Sequence, residues 1–220
     1  YRILAMEADF GESYYINEAV QRSDTAEIER LMKKMLFWCW RTEEVKDMLI
    51  WMCKFNKGKA DSLKLHYIGI DSQSNRHNSI LLRDFLQNSQ FKYFSFADLI
   101  LKESYQTSKK GFKGYSDENF SKFLVKINEL KYLILSEQEN LVHFRDPIKF
   151  EMLLHLLEVL KQSSETTYKY FDINKQINVR DSFMAENLLW YMNHFNSDKM
   201  VFWAHNGHIG NIYDDDVKTA

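Results

Sequence analysis

Two histidines near the end of the chain are the residues best suited to chemistry. Residues 200–204 form a short apolar run, typical of a buried strand, and His205, Asn206, Gly207 and His208 follow it directly. In open α/β sheets, ligands bind beyond the carboxyl ends of the strands. The imidazole is also the side chain whose ordinary pKa lies closest to neutral pH. We therefore predict that this turn carries catalytic or binding side chains.

Two acidic residues end the other predicted strands. Residues 2–8 form an apolar run that ends near Glu7, and residues 63–70 form a second run that ends at Asp71. If the strands are parallel neighbours, Glu7, Asp71 and His205 lie at one rim of the sheet. Such a set could polarise water, orient a base or bind a metal. The alternative, that each acidic residue caps the helix that follows it, stays open.

An arginine and a tryptophan are further candidates for substrate binding. Arg180 and Asp181 begin a helix predicted over residues 178–195. An aspartate at a helix start usually caps it, whereas Arg180 could bind a carboxylate or an oxyanion. Trp40 belongs to an aromatic stripe between positions 37 and 51, for which core packing is favoured over the wall of an apolar pocket.

The elements that position these residues follow an α/β order. The chain has one Pro and seven Gly, so long helices joined by short loops are expected. The predicted order is strand, helices, strand, helix, helical insert, helix and strand. Residues 93–96 could be a short strand or an extended link. The helical patterns cover residues 13–20, 24–38, a segment capped by Thr42, and residues 78–88, 117–139, 147–170 and 178–195. This order predicts an α/β fold with a mainly parallel sheet flanked by helices.

One domain is predicted over residues 1–220, with residues 117–172 as a helical hairpin insert that forms a lid or wall. Pro147 suits the first turn of the second helix of this hairpin. Three strands make a small sheet, and the chain opens directly on one of them. We therefore expect further strands to lie outside these residues.

Composition excludes several classes of function. The net charge of −2 favours neither nucleic acid nor an anionic membrane as a partner. Cys39 and Cys53 lie in apolar helical patterns, so we predict reduced thiols and neither a disulfide nor a zinc site. The chain has no apolar run of about 18 residues and no visible signal peptide, so a cytoplasmic protein without a transmembrane helix is expected. The motifs G-x-S-x-G, G-x-G-x-x-G, H-E-x-x-H and the P-loop are all missing.

Six short segments together resemble the erythromycin esterase family. They agree with that family in order and spacing over nearly the whole chain, and the last two are the most specific. The segments are Ala-Met-Glu-Ala-Asp (5–9), Trp-Arg-Thr-Glu-Glu-Val (40–45), residues 51–56, Ile-Gly-Ile-Asp (68–71), Arg-Asp-Ser-Phe-Met-Ala-Glu-Asn-Leu-Leu-Trp (180–190) and Trp-Ala-His-Asn-Gly-His (203–208).

The resemblance implies hydrolysis of a small-molecule ester, as in macrolide lactones, by water that a histidine activates without a cofactor. Carried over by position, Glu7, His205 and His208 would be catalytic, and we assign substrate binding to Asp71, Arg180 and Trp40. The resemblance places the base histidine in a Gly-Glu-x-x-His-Gly segment upstream of the first strand, which these residues do not contain. We therefore expect this stretch to be inactive by itself.

Two other functions remain open. A metal-dependent hydrolase could use Glu7, Asp71, His205 and His208 as ligands, which are acceptable types for Zn, Mn or Fe. A family member that has lost catalysis could instead act as a binding protein. The sequence leaves the oligomeric state open as well.

Overall fold

A parallel sheet of three strands lies at the centre of the described residues, which are 1–140, 147–169 and 173–210 of a computed structural model. The strands are β1 (Ile3–Asp9), β2 (His66–Asp71) and β3 (Val201–Trp203). Their order is β2-β1-β3, and β1 pairs in parallel with both neighbours. The predicted α/β class with a parallel sheet is confirmed.

Helices make up most of the rest of the described chain. Short 3₁₀ turns occupy Trp38–Trp40 and Asp61–Leu63. The α-helices are α1 (Phe10–Arg22), α2 (Thr25–Met32), α3 (Glu43–Asn56), α4 (Asn75–Asn88), α5 (Phe94–Lys110), α6 (Asp117–Ser136), α7 (Pro147–Lys169), α8 (Ile173–His194) and α9 (Asn206–Ile209).

Side-chain caps define where several helices begin. Asp24 accepts a hydrogen bond from the backbone of Glu27 and starts α2, and Thr42 accepts one from Val45 and starts α3. A capping oxygen satisfies a backbone N–H that has no partner within the helix. The predicted cap at Thr42 is confirmed, and the helix predicted over residues 24–38 ends at Met32.

Two local predictions are wrong. Residues 93–96 are neither strand nor link, because α5 begins at Phe94 and buries one apolar face. Helix α8 begins at Ile173, so Arg180 and Asp181 lie within the helix and not at its start. After β3, His205 caps the single turn α9.

The core has two parts, one on each face of the sheet. Along β1, Ile3 and Ala5 belong to the larger cluster, which α4 to α8 complete, whereas Met6 and Ala8 belong to the smaller cluster with α1 to α3. Successive side chains of a strand point to opposite faces. The helices therefore cover both faces, as a parallel sheet requires.

Strand β3 is more exposed than its apolar sequence predicts. The side chains of Val201 and Trp203 are 47% and 43% exposed, and only Ala204 beyond them is buried. Within the described residues β3 pairs with β1 alone, so one of its edges is uncovered. The prediction of a buried strand is wrong for these residues.

The hairpin of α6 and α7 is part of the larger core. Leu153, Leu156 and Leu160 of α7 are fully buried there, and α7 packs against α4, α6 and α8. Residues 141–146 and 170–172, within the predicted insert, lie outside the described residues. The insert and the domain boundaries stay predictions.

Both cysteines are free thiols, as predicted, although Cys39 is exposed and only Cys53 is buried. Of the helices in the described ranges, none has the length and apolar character needed to cross a bilayer.

Candidate functional site

The carboxyl ends of the three strands meet at one rim of the sheet. Glu7 lies near the end of β1, Asp71 is the last residue of β2, and His205 follows β3. Helices α8 and α9 add Arg180 and His208 to this rim. Residues from the first strand, the second strand and the last third of the described chain therefore come together here.

Arg180 is the centre of this arrangement. Its Nε and Nη2 donate to the two carboxylate oxygens of Asp71, at 3.0 and 2.7 Å. Nη2 also donates to Oε1 of Glu7 at 2.5 Å, and Nη1 lies 2.7 Å from Nε2 of His208. The planar guanidinium, with donors in fixed directions, can hold a bidentate carboxylate and further acceptors at once. We call Glu7, Asp71, Arg180 and His208 the arginine network.

Helix α8 places Arg180 through a stripe of buried side chains. Arg180, Met184, Asn187 and Tyr191 recur at helical spacing, and each is at most 7% exposed. The Asn187 side chain donates to the backbone oxygen of Ile70 at 2.9 Å, directly before Asp71. This bond fixes α8 against the end of β2 and brings Arg180 to the rim.

Glu7 is held as a carboxylate from two sides. Its Oε2 accepts from the backbone N–H of His205 at 2.8 Å, and its Oε1 faces Arg180. Burial raises the pKa of Glu7, but these two hydrogen bonds and the charge of Arg180 outweigh burial and lower the pKa below its usual value.

Asp71 is completely buried, and burial raises its pKa while the hydrogen bonds and charge of Arg180 oppose that rise. Burial also acts against the charged form of Arg180, but its bonds to Asp71 and Glu7 prevail and raise the pKa of the guanidinium. The buried charges at this rim therefore stabilise one another, because the guanidinium of Arg180 lies between the carboxylates of Asp71 and Glu7.

His208 uses both of its ring nitrogens within the protein. Nδ1 lies 2.5 Å from Oδ1 of Asp181, and Nε2 lies 2.7 Å from Nη1 of Arg180 and 3.3 Å from Oε1 of Glu7. Because a guanidinium only donates, Nε2 accepts from Arg180, and Nδ1–H donates to Asp181. The orientation of the His208 ring is therefore fixed from both sides.

His205 has the opposite arrangement and is exposed. Its Nδ1 accepts from the backbone N–H of Gly207 at 3.0 Å, which closes the cap of α9. In a neutral imidazole the other nitrogen then carries the proton. Nε2–H of His205 is thus available as a donor at the rim, about one ring away from His208, with ring centroids 6.3 Å apart.

Trp40 lies next to the rim but is almost buried. Its Nε1 donates to the backbone oxygen of Glu7 at 2.7 Å, where the pairing of β1 with β2 is irregular. The ring of Trp40 also contacts the half-exposed ring of Trp203 edge-on, with centroids 5.3 Å apart. Trp40 therefore supports the end of β1, and Trp203 is the aromatic side chain that reaches solvent.

All six residues proposed from the sequence lie at or beside this rim, and the chemical role of each stays a prediction. Asp181 was missed, because it was read as a helix cap and not as a partner of His208. Its signal was its position directly after Arg180. His155 of α7 lies apart from this rim, where it is buried against Trp190 and bonds Asn187 at 2.9 Å.

The side chains that could bind a metal ion differ between the rim and the region below it. Arg180 already lies between Glu7, Asp71 and His208. In the described part of the chain, the group of three side chains with ligand atoms close enough to share an ion is Asp9, Glu12 and His77. Sequence reasoning missed this group as well; two acidic residues in an otherwise apolar strand-to-helix junction were the available signal.

A family model matches this chain, and solved structures share its fold. The family model for erythromycin esterase matches residues 1–219. A crystal structure of a Bacillus cereus protein is 19% identical, with a TM-score of 0.76 over 95% of this chain and 50% of its own. A succinoglycan biosynthesis protein is 17% identical (TM-score 0.74, 94% and 49%), as is a mutant of the erythromycin esterase EreC in its open conformation (0.65, 94% and 53%). The chain thus spans about half the length of these structures, and no curated protein matches it.

Proposed function

The chain belongs to the erythromycin esterase family, and we propose that it supplies the hydrogen-bond-donating side of a site that hydrolyses a carboxylic ester. The observation that carries this proposal is the pair of histidines in opposite states. His205 offers Nε2–H to solvent at the rim, whereas both nitrogens of His208 are engaged by Asp181 and Arg180. One imidazole is available for chemistry and the other holds the arrangement.

In the proposed reaction, water attacks the ester carbonyl carbon and a base takes its proton. The family resemblance assigns that base to a histidine outside these residues. As the carbonyl oxygen gains negative charge, Nε2–H of His205 donates a hydrogen bond to it. The departing alkoxide oxygen then takes up the proton that the base removed from water. A positioned donor of this kind typically accelerates such steps by about 10²- to 10³-fold.

The arginine network keeps His205 in place. Glu7 accepts from the backbone N–H of His205, and Glu7 is itself fixed by Arg180. Because Arg180 is anchored by both oxygens of Asp71, the position of His205 depends on the sheet and on α8 together. In this proposal Glu7, Asp71, Arg180 and His208 are positioning residues.

An apolar ester suits the surroundings of His205. Trp203, two residues before His205, is 43% exposed, and the ring of Trp40 packs edge-on against it. An exposed indole beside a hydrogen-bond donor can bind the apolar part of an ester while the donor faces its oxygen. A macrolide lactone and a simple alkyl ester both have this character, so both belong in the test.

The proposal assigns no metal to the rim. Glu7, Asp71 and His208 already face the guanidinium of Arg180, and a cation held by hydrogen bonds to two carboxylates occupies the position that an ion would need. The metal-dependent reading is therefore not favoured here.

The test is ester hydrolysis by the full-length protein that contains this chain. We expect turnover of p-nitrophenyl butyrate or of a macrolide, and His205→Ala should lower kcat about 10²- to 10³-fold. The matched control is Glu29→Gln, an exposed carboxylate on α2, which should leave kcat unchanged. Folded His205→Ala protein with wild-type turnover, or a wild type inert towards every ester tried, would sink the proposal.

A further inference from the structure

A second polar cluster lies under the rim, where β1 passes into α1. We call Asp9, Glu12 and His77 the junction cluster. Asp9 ends β1 and caps α1, Glu12 lies in the first turn of α1, and His77 lies in the first turn of α4. Asp9 and Glu12 are 1% and 5% exposed, and the His77 side chain is 16% exposed.

The ligand atoms of this cluster are close together. One atom from each of the three side chains lies within 4.8 Å of the other two. Bonds of about 2.1 Å to a tetrahedral zinc place ligand atoms about 3.4 Å apart. Small side-chain rotations would therefore bring these three groups onto one ion.

One oxygen of the cluster has no protein partner. Oδ1 of Asp9 accepts from the backbone of Glu12 at 2.8 Å and faces Nδ1 of His77 at 3.3 Å. Oδ2 of Asp9 is buried and makes no hydrogen bond within the described structure. A buried carboxylate oxygen without a partner is costly, and such groups are nearly always satisfied by protein, water or an ion.

The two carboxylates form no salt bridge to a Lys or Arg among the described residues. Asp9 pairs there with His77, and Arg41 acts on Glu12 only at longer range. This differs from the rim, where Arg180 compensates Glu7 and Asp71. Two buried acidic groups with one imidazole lack a positive charge that a divalent ion would supply.

Backbone groups orient the cluster from outside. Both carboxylate oxygens of Glu12 accept from the backbone N–H of Leu36, at 3.0 and 2.9 Å, and the N–H of Glu12 fixes Asp9. Hydrogen bonds of this kind hold the ligands of protein metal sites in their productive orientation. His77 is the member of the cluster that lies nearest to solvent.

We propose that Asp9, Glu12 and His77 bind one divalent transition-metal ion. Two carboxylates and one imidazole form a donor set that suits Zn²⁺ or Mn²⁺ better than Mg²⁺ or Cu⁺. Three protein ligands leave a position for water. The site is separate from the arginine network and does not depend on the esterase proposal, although Asp9 faces Asp71 across the β1–β2 pair.

Titration of chelator-treated, full-length protein with ZnCl₂ or MnCl₂ in a calorimeter tests this proposal. We expect one ion of the tighter-binding metal per junction cluster, with an affinity that falls at least about tenfold in both Glu12→Gln and His77→Ala. Glu12→Gln keeps the size of the side chain, so it tests the site even where His77→Ala fails to fold. The matched control is His205→Ala, which removes an exposed histidine at the rim and should leave this binding unchanged.

A second readout follows the imidazole itself. Adding Zn²⁺ should shift the Nδ1 resonance of His77 in ¹⁵N NMR and leave that of His205 in place. Two results would overturn the proposal: no ion bound by folded wild-type protein, or wild-type affinity in both cluster variants.

Discussion

Replacing Arg180 by methionine would remove the cation on which the rim depends. Methionine keeps much of the length and the apolar stem of arginine but leaves Asp71 and Glu7 without their partner. The Arg180 side chain is 9% exposed, and those of Asp71 and Glu7 are 0% and 13% exposed. The charges are therefore compensated inside the protein and scarcely by water.

The size of the stability loss is set by whichever costs less free energy, an unpaired buried carboxylate or a protonated one. Breaking a buried ion pair by removing one partner typically costs about 3–5 kcal/mol. Asp71 could instead take up a proton, and at pH 7 this costs about 1.36 kcal/mol for each unit above an ordinary pKa near 4, or about 4 kcal/mol. We expect Arg180→Met to lower the free energy of unfolding by about 4 kcal/mol at pH 7.

The loss should depend on pH in a defined direction. Without Arg180, burial and the charges of Glu7 and Asp9 act on Asp71 unopposed, so its folded pKa rises further above the unfolded value. The variant then loses stability as the pH rises above about 4 and regains it as the pH falls, by about 1.4 kcal/mol per unit for one proton. At pH 5 the difference from wild type should shrink to about 1–2 kcal/mol.

Urea unfolding at pH 5 and pH 7 measures this difference. Arg83→Met is the matched control, because Arg83 pairs with Asp98 at the surface with a side chain 39% exposed, and we expect a loss of at most about 1 kcal/mol. The double variant Arg180→Met with Asp71→Asn should recover part of the loss at pH 7. An equal loss at both pH values, or one below about 1 kcal/mol at pH 7, would refute the reasoning.

Three further predictions concern single side chains. Burial lowers the pKa of His155 to about 4 from 6.5, so wild type should lose stability as the pH falls from 6.5 towards 4, and acid unfolding of His155→Gln should show a smaller slope over that range. Gly69→Ala would place a methyl group 2.6 Å from the backbone oxygen of Ala8, and a loss of about 1–3 kcal/mol is expected in thermal unfolding. Trp40→Phe leaves the backbone oxygen of Glu7 without its donor; urea unfolding should show a loss of about 1–3 kcal/mol, and an unchanged midpoint would contradict the support assigned to that indole.

The strands and their ends could be predicted from local pattern. The apolar runs that end at Glu7, Asp71 and His205 are short and bounded by polar residues, so the ends were placed within two residues of those observed. A helix between strands implies parallel pairing. Candidate residues at one rim followed from these two rules.

The ends of the helices were harder to predict from the local sequence pattern. Residues 93–96 are largely aromatic and look extended by propensity, yet they enter α5 because the apolar face of that helix packs on the larger core. Helix α8 begins before Asn178, so the capping role expected of Asp181 does not exist. Propensity is a weak guide where tertiary packing decides.

Residue types and strand ends, which are properties of short segments, were determined by the sequence alone: they indicated the family, the parallel sheet and the acidic and imidazole groups at its rim. Which group faces which was decided only by the tertiary structure. Arg180 lies 109 residues from Asp71 and 173 from Glu7, and no local pattern encodes such a contact. The different states of His205 and His208 likewise depend on the nitrogen that each partner occupies, because a hydrogen bond is set by position and direction in space.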